Sequence, residues 1–263
     1  MNWELIPAGL LVGTLVGATG MGAGSLMAPI LISFFGTSAV SAVGTDLLYS
    51  AVTKAVGAAR HHSLRHVNRE LALWMGAGSA PAGVLGVFTL NRMAAAQSAA
   101  IDSWLKEVIG IALMLVAVAV VVRTFLSIRA LWGHELPHDG ELTRRHKILA
   151  VSIGLGFGFV FGVTSVGAGA FFGMALILLF PLSTRRVVGT DLYHGAIVTI
   201  PAAIASYFLL PDLHLGNVAL LMVGSIPGIL IGSQLTVAVP EKALRGSLAG
   251  VLALSSLKMF GAF

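Results

Sequence analysis

The hexapeptide TGMGAG at residues 19–24 returns as TSVGAG at 164–169, and the displacement of 145 positions is shared by other motifs. It carries Gly9, Gly13 and Gly17 onto Gly154, Gly158 and Gly162, and VGTDL at 43–47 onto VGTDL at 188–192. At 146 positions, GSAP at 78–81 meets GSIP at 224–227 and Gly86 meets Gly232, a slippage of a single residue. Constant spacing across different segment types identifies two copies of one structural unit. The expected organisation is a first transmembrane repeat at 1–126, a cytoplasmic linker at 127–147 and a second transmembrane repeat at 148–263.

The solvent of these units follows from their apolar runs. Ile109 to Val122 is nearly continuous, and from Trp104 to Leu126 the segment reaches the roughly twenty residues that cross hydrocarbon. Comparable stretches run from Leu71 to Leu90, Val187 to Leu209, Leu215 to Val237 and Leu244 to Phe260, too many for one signal peptide. With 57% hydrophobic and 10% charged residues, the chain is far from an ordinary soluble domain, of which about a quarter is charged. The absence of cysteine removes disulfides, haem thiolates and iron–sulfur clusters. The net charge of +5 does not describe a nucleic-acid binder, because the basic residues fall in short connections between apolar segments and not on one wet face.

Each copy opens with an apolar piece, the glycine motif and a second apolar piece: Leu5 to Ala18 with Ser25 to Phe35, then Ile148 to Val163 with Ala170 to Phe180. At roughly 1.5 Å per residue, neither piece alone comfortably spans a layer of about 30 Å. Each pair forms either one tilted helix broken in the middle or a re-entrant hairpin of two short helices. Short cytoplasmic loops favour lysine and arginine, and this favours the hairpin. It places the stretches 57–70, 123–147, 181–186 and 240–245, with 12 of the 16 basic residues, on one side. A hairpin plus three crossings per half inverts the second copy. The fold expected is an all-α polytopic membrane protein, an inverted structural repeat with broken or re-entrant helices, with eight to ten helical pieces and both termini outside.

Glycine motifs that interrupt apolar runs expose backbone groups, which at this depth must face protein or water. If short helices begin near Ser25 and Ala170, their N-terminal amides offer an anion site framed by Gly22, Gly24, Gly167 and Gly169; the alternative is a structural kink. Neither string fits the phosphate-loop pattern. Asp46 and Asp191, inside the following helices, are candidates for proton coupling or substrate contact, or else for capping. His194 lies three residues after Asp191, close enough on a helix for the carboxylate to tune its protonation, and is the third coupling candidate. Lys54 either snorkels toward a basic helix end or meets a central anion. Ser79 and Ser225 either repair the backbone near Pro81 and Pro227 or face a pore. The run around His61, His62 and His66 lacks an acidic ligand and reads as a solvated surface, not a metal site.

TGMGAGSLMAP with TSVGAGAFFGM, VGTDLLYS with VGTDLYHG, and GSAP with GSIP together resemble the TauE/SafE sulfite-exporter family of membrane transporters, over most of both halves. The second copy departs by having Ser165 and Met174 where the first has Gly20 and Pro29. The resemblance implies a secondary transporter of small sulfur-containing anions such as sulfite, sulfonates or sulfoacetate, coupled to protons and working by alternating access. The hydroxyls of Thr19, Thr45, Thr164 and Thr190 join the glycine motifs as expected donors to the anion. A gated anion channel is the alternative; no nucleophile with a matching base appears, so no enzyme, catalytic residue, metal or cofactor is expected. The expected partners are the anion, protons and the lipid bilayer, not nucleic acid, in a cell membrane of the bacterial inner-membrane type.

Overall fold

The computed structural model describes residues 3–19, 26–63, 65–95, 99–125, 142–167, 169–180, 182, 184–210, 213, 215–238 and 241–261. Among the described residues the regular structure is ten helices. The first copy supplies α1 (Leu5–Thr19), α2 (Met27–Phe35), α3 (Ala39–Ser63), α4 (Arg69–Ala94) and α5 (Ala99–Phe125). The second supplies α6 (Arg144–Thr164), α7 (Ala170–Leu179), α8 (Thr184–Leu209), α9 (Leu215–Ala238) and α10 (Glu241–Met259). Five segments, within α4, α5, α6, α8 and α9, are long and apolar enough to cross a membrane. The chain is a multi-pass, all-α membrane protein. Large apolar side chains such as Leu115, Val118, Ile204 and Phe208 point outward, as a hydrocarbon solvent allows.

Local chemistry sets the helix ends. Asn68 caps α4 by accepting from the Leu71 amide at 3.0 Å, with Glu70 in the first turn. Gly36 closes α2 with a left-handed φ of 62°. One expectation changes at α6, whose first apolar piece looks too short to span. Thr143, five residues before the apolar stretch, caps the helix by accepting from the His146 amide at 3.3 Å, so α6 has 21 residues and covers about 32 Å. Its start is tied to α4 by Lys147–Glu70 at 2.8 Å and by the Leu142 amide on Glu70 at 3.3 Å.

The packing repeats as the sequence does. α1 packs on α9 and its counterpart α6 on α4; α4 packs on α8 and α9 on α3; α5 packs on α7 and α10 on α2. Two contacts, α3 with α8 and α5 with α10, join a helix to its own equivalent. The correspondence holds residue by residue. Gly9 lies on the backbone of Leu221 as Gly154 does on Met75, and Gly224 lies on Ile6 as Gly78 does on Val151. A Cβ at Gly13 would stand 2.8 Å from Ser225 Cα, and one at Gly158 would stand 2.6 Å from Ser79 Cα. Carbon atoms settle at about 3.5–4.0 Å, so these crossings admit only glycine.

The larger apolar core includes Leu31, Leu47, Leu113, Val198 and Leu221, drawn from α2, α3, α5, α8 and α9. A smaller one, with Leu71, Met75, Phe172 and Leu176, lies under α4 and α7. The polar residues described next sit where α3 and α8 meet.

Candidate functional site where the two copies meet

Asp46, fully buried in α3, accepts from Ser165 Oγ at 2.7 Å and from Ser50 Oγ, one turn along its own helix, at 3.3 Å. A buried carboxylate needs such donors, and a charge-assisted bond is the stronger kind. Ser165 reaches it because α6 ends there in a left-handed turn, φ 56°, with the Ser165 amide donating to Phe161 O at 2.6 Å. The end of a helix in the second copy thus delivers a hydroxyl to an acid of the first.

Asp191 occupies the equivalent place in α8 and is also buried. Its surroundings differ, since the equivalents of Ser50 and Ser165 are Gly195 and Gly20. Against Gly195 lies Lys54 of α3: a Cβ on that glycine would be 2.8 Å from Lys54 Cδ and 2.9 Å from Nζ. The lysine is buried and interacts electrostatically with Asp191 and with Asp46. One lysine therefore lies within electrostatic reach of two acids at the contact between equivalent helices.

A second matched pair flanks this group. Tyr49 Oη and Ser225 Oγ are hydrogen-bonded, joining α3 to α9. Ser79 Oγ and His194 Nε2, 2.8 Å apart, join α4 to α8. Tyr49 is the equivalent of His194 and Ser225 of Ser79, so the same bond is made twice, once by a phenol and once by an imidazole. Both serines are those pressed by Gly13 and Gly158. The His194 ring also meets Phe172 edge-on, with centroids 4.3 Å apart.

Of the residues anticipated from sequence, Asp46, Asp191 and His194 gather around Lys54, and Thr45 is buried beside Asp46. Thr164 donates to Val160 O at 2.7 Å and accepts from the Val166 amide at 3.2 Å, which fixes the end of α6. Thr190 accepts from the Asn68 amide at 3.0 Å and ties α8 to the start of α4. Gly167, with φ 96°, makes the turn into α7 and accepts from the Phe171 amide at 3.0 Å; Gly169 directly precedes that helix. Thr19 closes α1, and its side chain, with Gly22, Gly24 and Ser25, lies outside the described residues. Ser50 and Ser165 were not among the anticipated site residues; Lys54, anticipated either to snorkel toward a basic helix end or to meet a central anion, is buried against Gly195. Their signal is the mismatch at equivalent positions: Ser50 against Gly195, Lys54 against Thr199, Ser165 against Gly20. Among the described residues no group of three or more histidines and acids is arranged to hold a metal ion. The side chains brought together are two aspartates, one lysine, one histidine and several hydroxyls, a rare polar group inside an apolar protein.

The family described as Sulfite exporter TauE/SafE matches residues 5–259. A "Probable membrane transporter protein YjnA" of Bacillus subtilis (strain 168) is 35% identical over 263 residues, covering 98% of this chain and 100% of that protein. No solved structure matches. The chain belongs to the TauE/SafE family of membrane transporters.

Proposed function

We propose that this transporter is a proton-coupled carrier of small sulfur-containing anions, of the sulfite, sulfonate or sulfoacetate type, working by alternating access in a bacterial cell membrane. The observation that carries this reading is the meeting of Asp46, Asp191 and Lys54 at the contact between equivalent helices, where each copy contributes an acid and the groups are shielded from water. Intramembrane ionisable residues that face one another mark ion and substrate pathways. The family description names sulfite, and a sulfur oxyanion has oxygens for hydroxyl and ammonium donors.

Alternating access needs two halves that can exchange roles, and inversion supplies that. Support comes from contact order. Lys54 meets Gly195 and Gly57 meets Leu192, so numbers rise along α3 while they fall along α8. In contrast, Gly9 with Leu221 and Gly13 with Ser225 rise together, as do Gly44 with Leu213 and Tyr49 with Ser225. α1 and α3 then share a direction, which a re-entrant α1–α2 hairpin requires and a single broken crossing does not. The two transmembrane repeats, 1–126 and 148–263, are the rocking units of this scheme, with the anion held between them.

The test is flux in proteoliposomes with sulfite, sulfoacetate, taurine and thiosulfate, under proton gradients imposed in both directions. Saturable movement driven by the proton gradient is expected for sulfite or sulfoacetate. Movement without saturation or proton dependence would indicate a channel, and no movement of any of the four in verified vesicles would defeat the substrate class. Asp46→Asn and Asp191→Asn are expected to remove the pH dependence of flux in at least one case; if both keep it, neither acid carries the proton.

A further inference from the structure

Lys54 is buried to 1% exposure, and its Nζ makes no hydrogen bond to any described residue. An ammonium has three donors, and an interior charge is ordinarily satisfied by them. Here the surroundings are shaped to keep the head unspent. The missing side chain at Gly195 makes room for Cδ, Cε and Nζ, and the residue equivalent to Gly195 is Ser50, whose hydroxyl turns to Asp46. The residue equivalent to Lys54 is Thr199, also buried, so the two symmetric acids share one cation. Both acids act on Lys54 through space.

We infer that Lys54 is the cation that holds the transported anion, and that Asp46 and Asp191 are the carboxylates with which the anion competes for it. This deepens the carrier reading and rests on it. A compact oxyanion can take all three N–H donors at once. While the anion occupies the ammonium, a carboxylate that has lost its counter-charge is left in a dry interior, and it is neutralised by a proton; anion binding and proton binding are then linked. The titratable groups that face Lys54 are Asp46 on its own helix and Asp191 and His194 on α8. Tyr49 on α3 is engaged with Ser225, and the sequences of α2 and α9 hold no acid or base. Asp102 of α5 accepts from the Ala39 amide at the far end of α3, and Arg186 lies nine residues before Gly195, about 13 Å along α8.

The experiment uses the full chain in nanodiscs, with sulfite binding measured by calorimetry, folding by thermal unfolding, and flux measured in proteoliposomes. Lys54→Gln is expected to weaken sulfite binding about tenfold or more, the scale of losing a hydrogen bond to a charged group, whereas Lys54→Arg retains binding within a few fold. The double variants Lys54→Met with Asp191→Asn and Lys54→Met with Asp46→Asn keep the buried charge balanced, so they guard against simple misfolding. They are expected to fold and still not bind. Binding by either double variant within about threefold of wild type, well inside the tenfold scale of one such bond, would mean that Lys54 only neutralises the acids, and the inference would be wrong. Undiminished binding by Lys54→Gln would overturn it too while leaving sulfite transport intact. Wild-type protein that neither binds sulfite nor moves any of the four sulfur compounds overturns the carrier reading itself.

Discussion

The crossing of α1 with α9 and the crossing of α4 with α6 are the same object built twice, whereas the acids between them are not. At the crossings, glycine answers glycine: Gly9 and Gly154, Gly13 and Gly158, Gly224 and Gly78 each press on equivalent backbone. At the acids, Asp46 receives two hydroxyls, while the positions that would serve Asp191 hold glycine, one of them occupied from across the contact by Lys54. The difference shows which constraint each region obeys. Backbone-to-backbone packing has one solution and both copies keep it. The polar group between the copies is free of that constraint, and there one copy has a lysine where the other has Thr199.

The harshest way to break this comparison is to overfill the crossings. Gly158→Val and Gly13→Val place carbon against backbone that cannot yield, where overpacking costs typically about 1–3 kcal/mol and more. Both are expected to abolish monodisperse folded protein in detergent, and to equal degree. Gly156→Ala, with open space around it, is expected to melt within about 0.5 kcal/mol of wild type. If one crossing tolerates valine and the other does not, the packing is not equivalent.

The next effect tests the asymmetry. Ser165→Ala removes the shorter bond to Asp46 and is expected to cost about 1.5–3 kcal/mol in thermal unfolding, with lower flux. Ser50→Ala removes a bond of 3.3 Å and is expected to cost less. Equal costs would indicate that the turn after α6 has no special hold on the acid. The smallest effects concern the matched pair. Tyr49→Phe strands Ser225, and Ser79→Ala strands His194; each is expected to lower unfolding free energy by about 1–3 kcal/mol, the penalty of an unpaired buried group. A large loss of flux in one without the other would assign the access switch to that side.

Much of this was legible in the sequence, for reasons that are physical. The displacement of 145 residues marks which glycines share a role, because close helix approach tolerates no other residue and leaves a spaced trace. Asp46, Asp191 and His194 could be named because charge inside an apolar run is rare. The donors were harder. Thr164 and Thr190 look like ligand hydroxyls, yet one returns to its own helix and the other holds an amide of Asn68, choices set by local geometry that spacing does not encode. Ser165 reads as a lapse in a glycine motif; only a left-handed helix end, 119 residues from Asp46, turns it into a partner. Likewise, the early start of α6 depends on Thr143, a cap in a charged stretch that hydropathy passes over.

The glycine crossings also bear on ancestry and assembly. Each runs between the copies: α1 is seated on a helix of the second, α6 on a helix of the first. A chain ending after α5 would have a glycine-faced α1 with no seat and an α4 with nothing to receive. Its natural remedy is a second molecule of itself, exchanging first helices like clasped hands. With both copies in one chain the two partners need not be identical, and they are not: Lys54 stands where the second copy has Thr199.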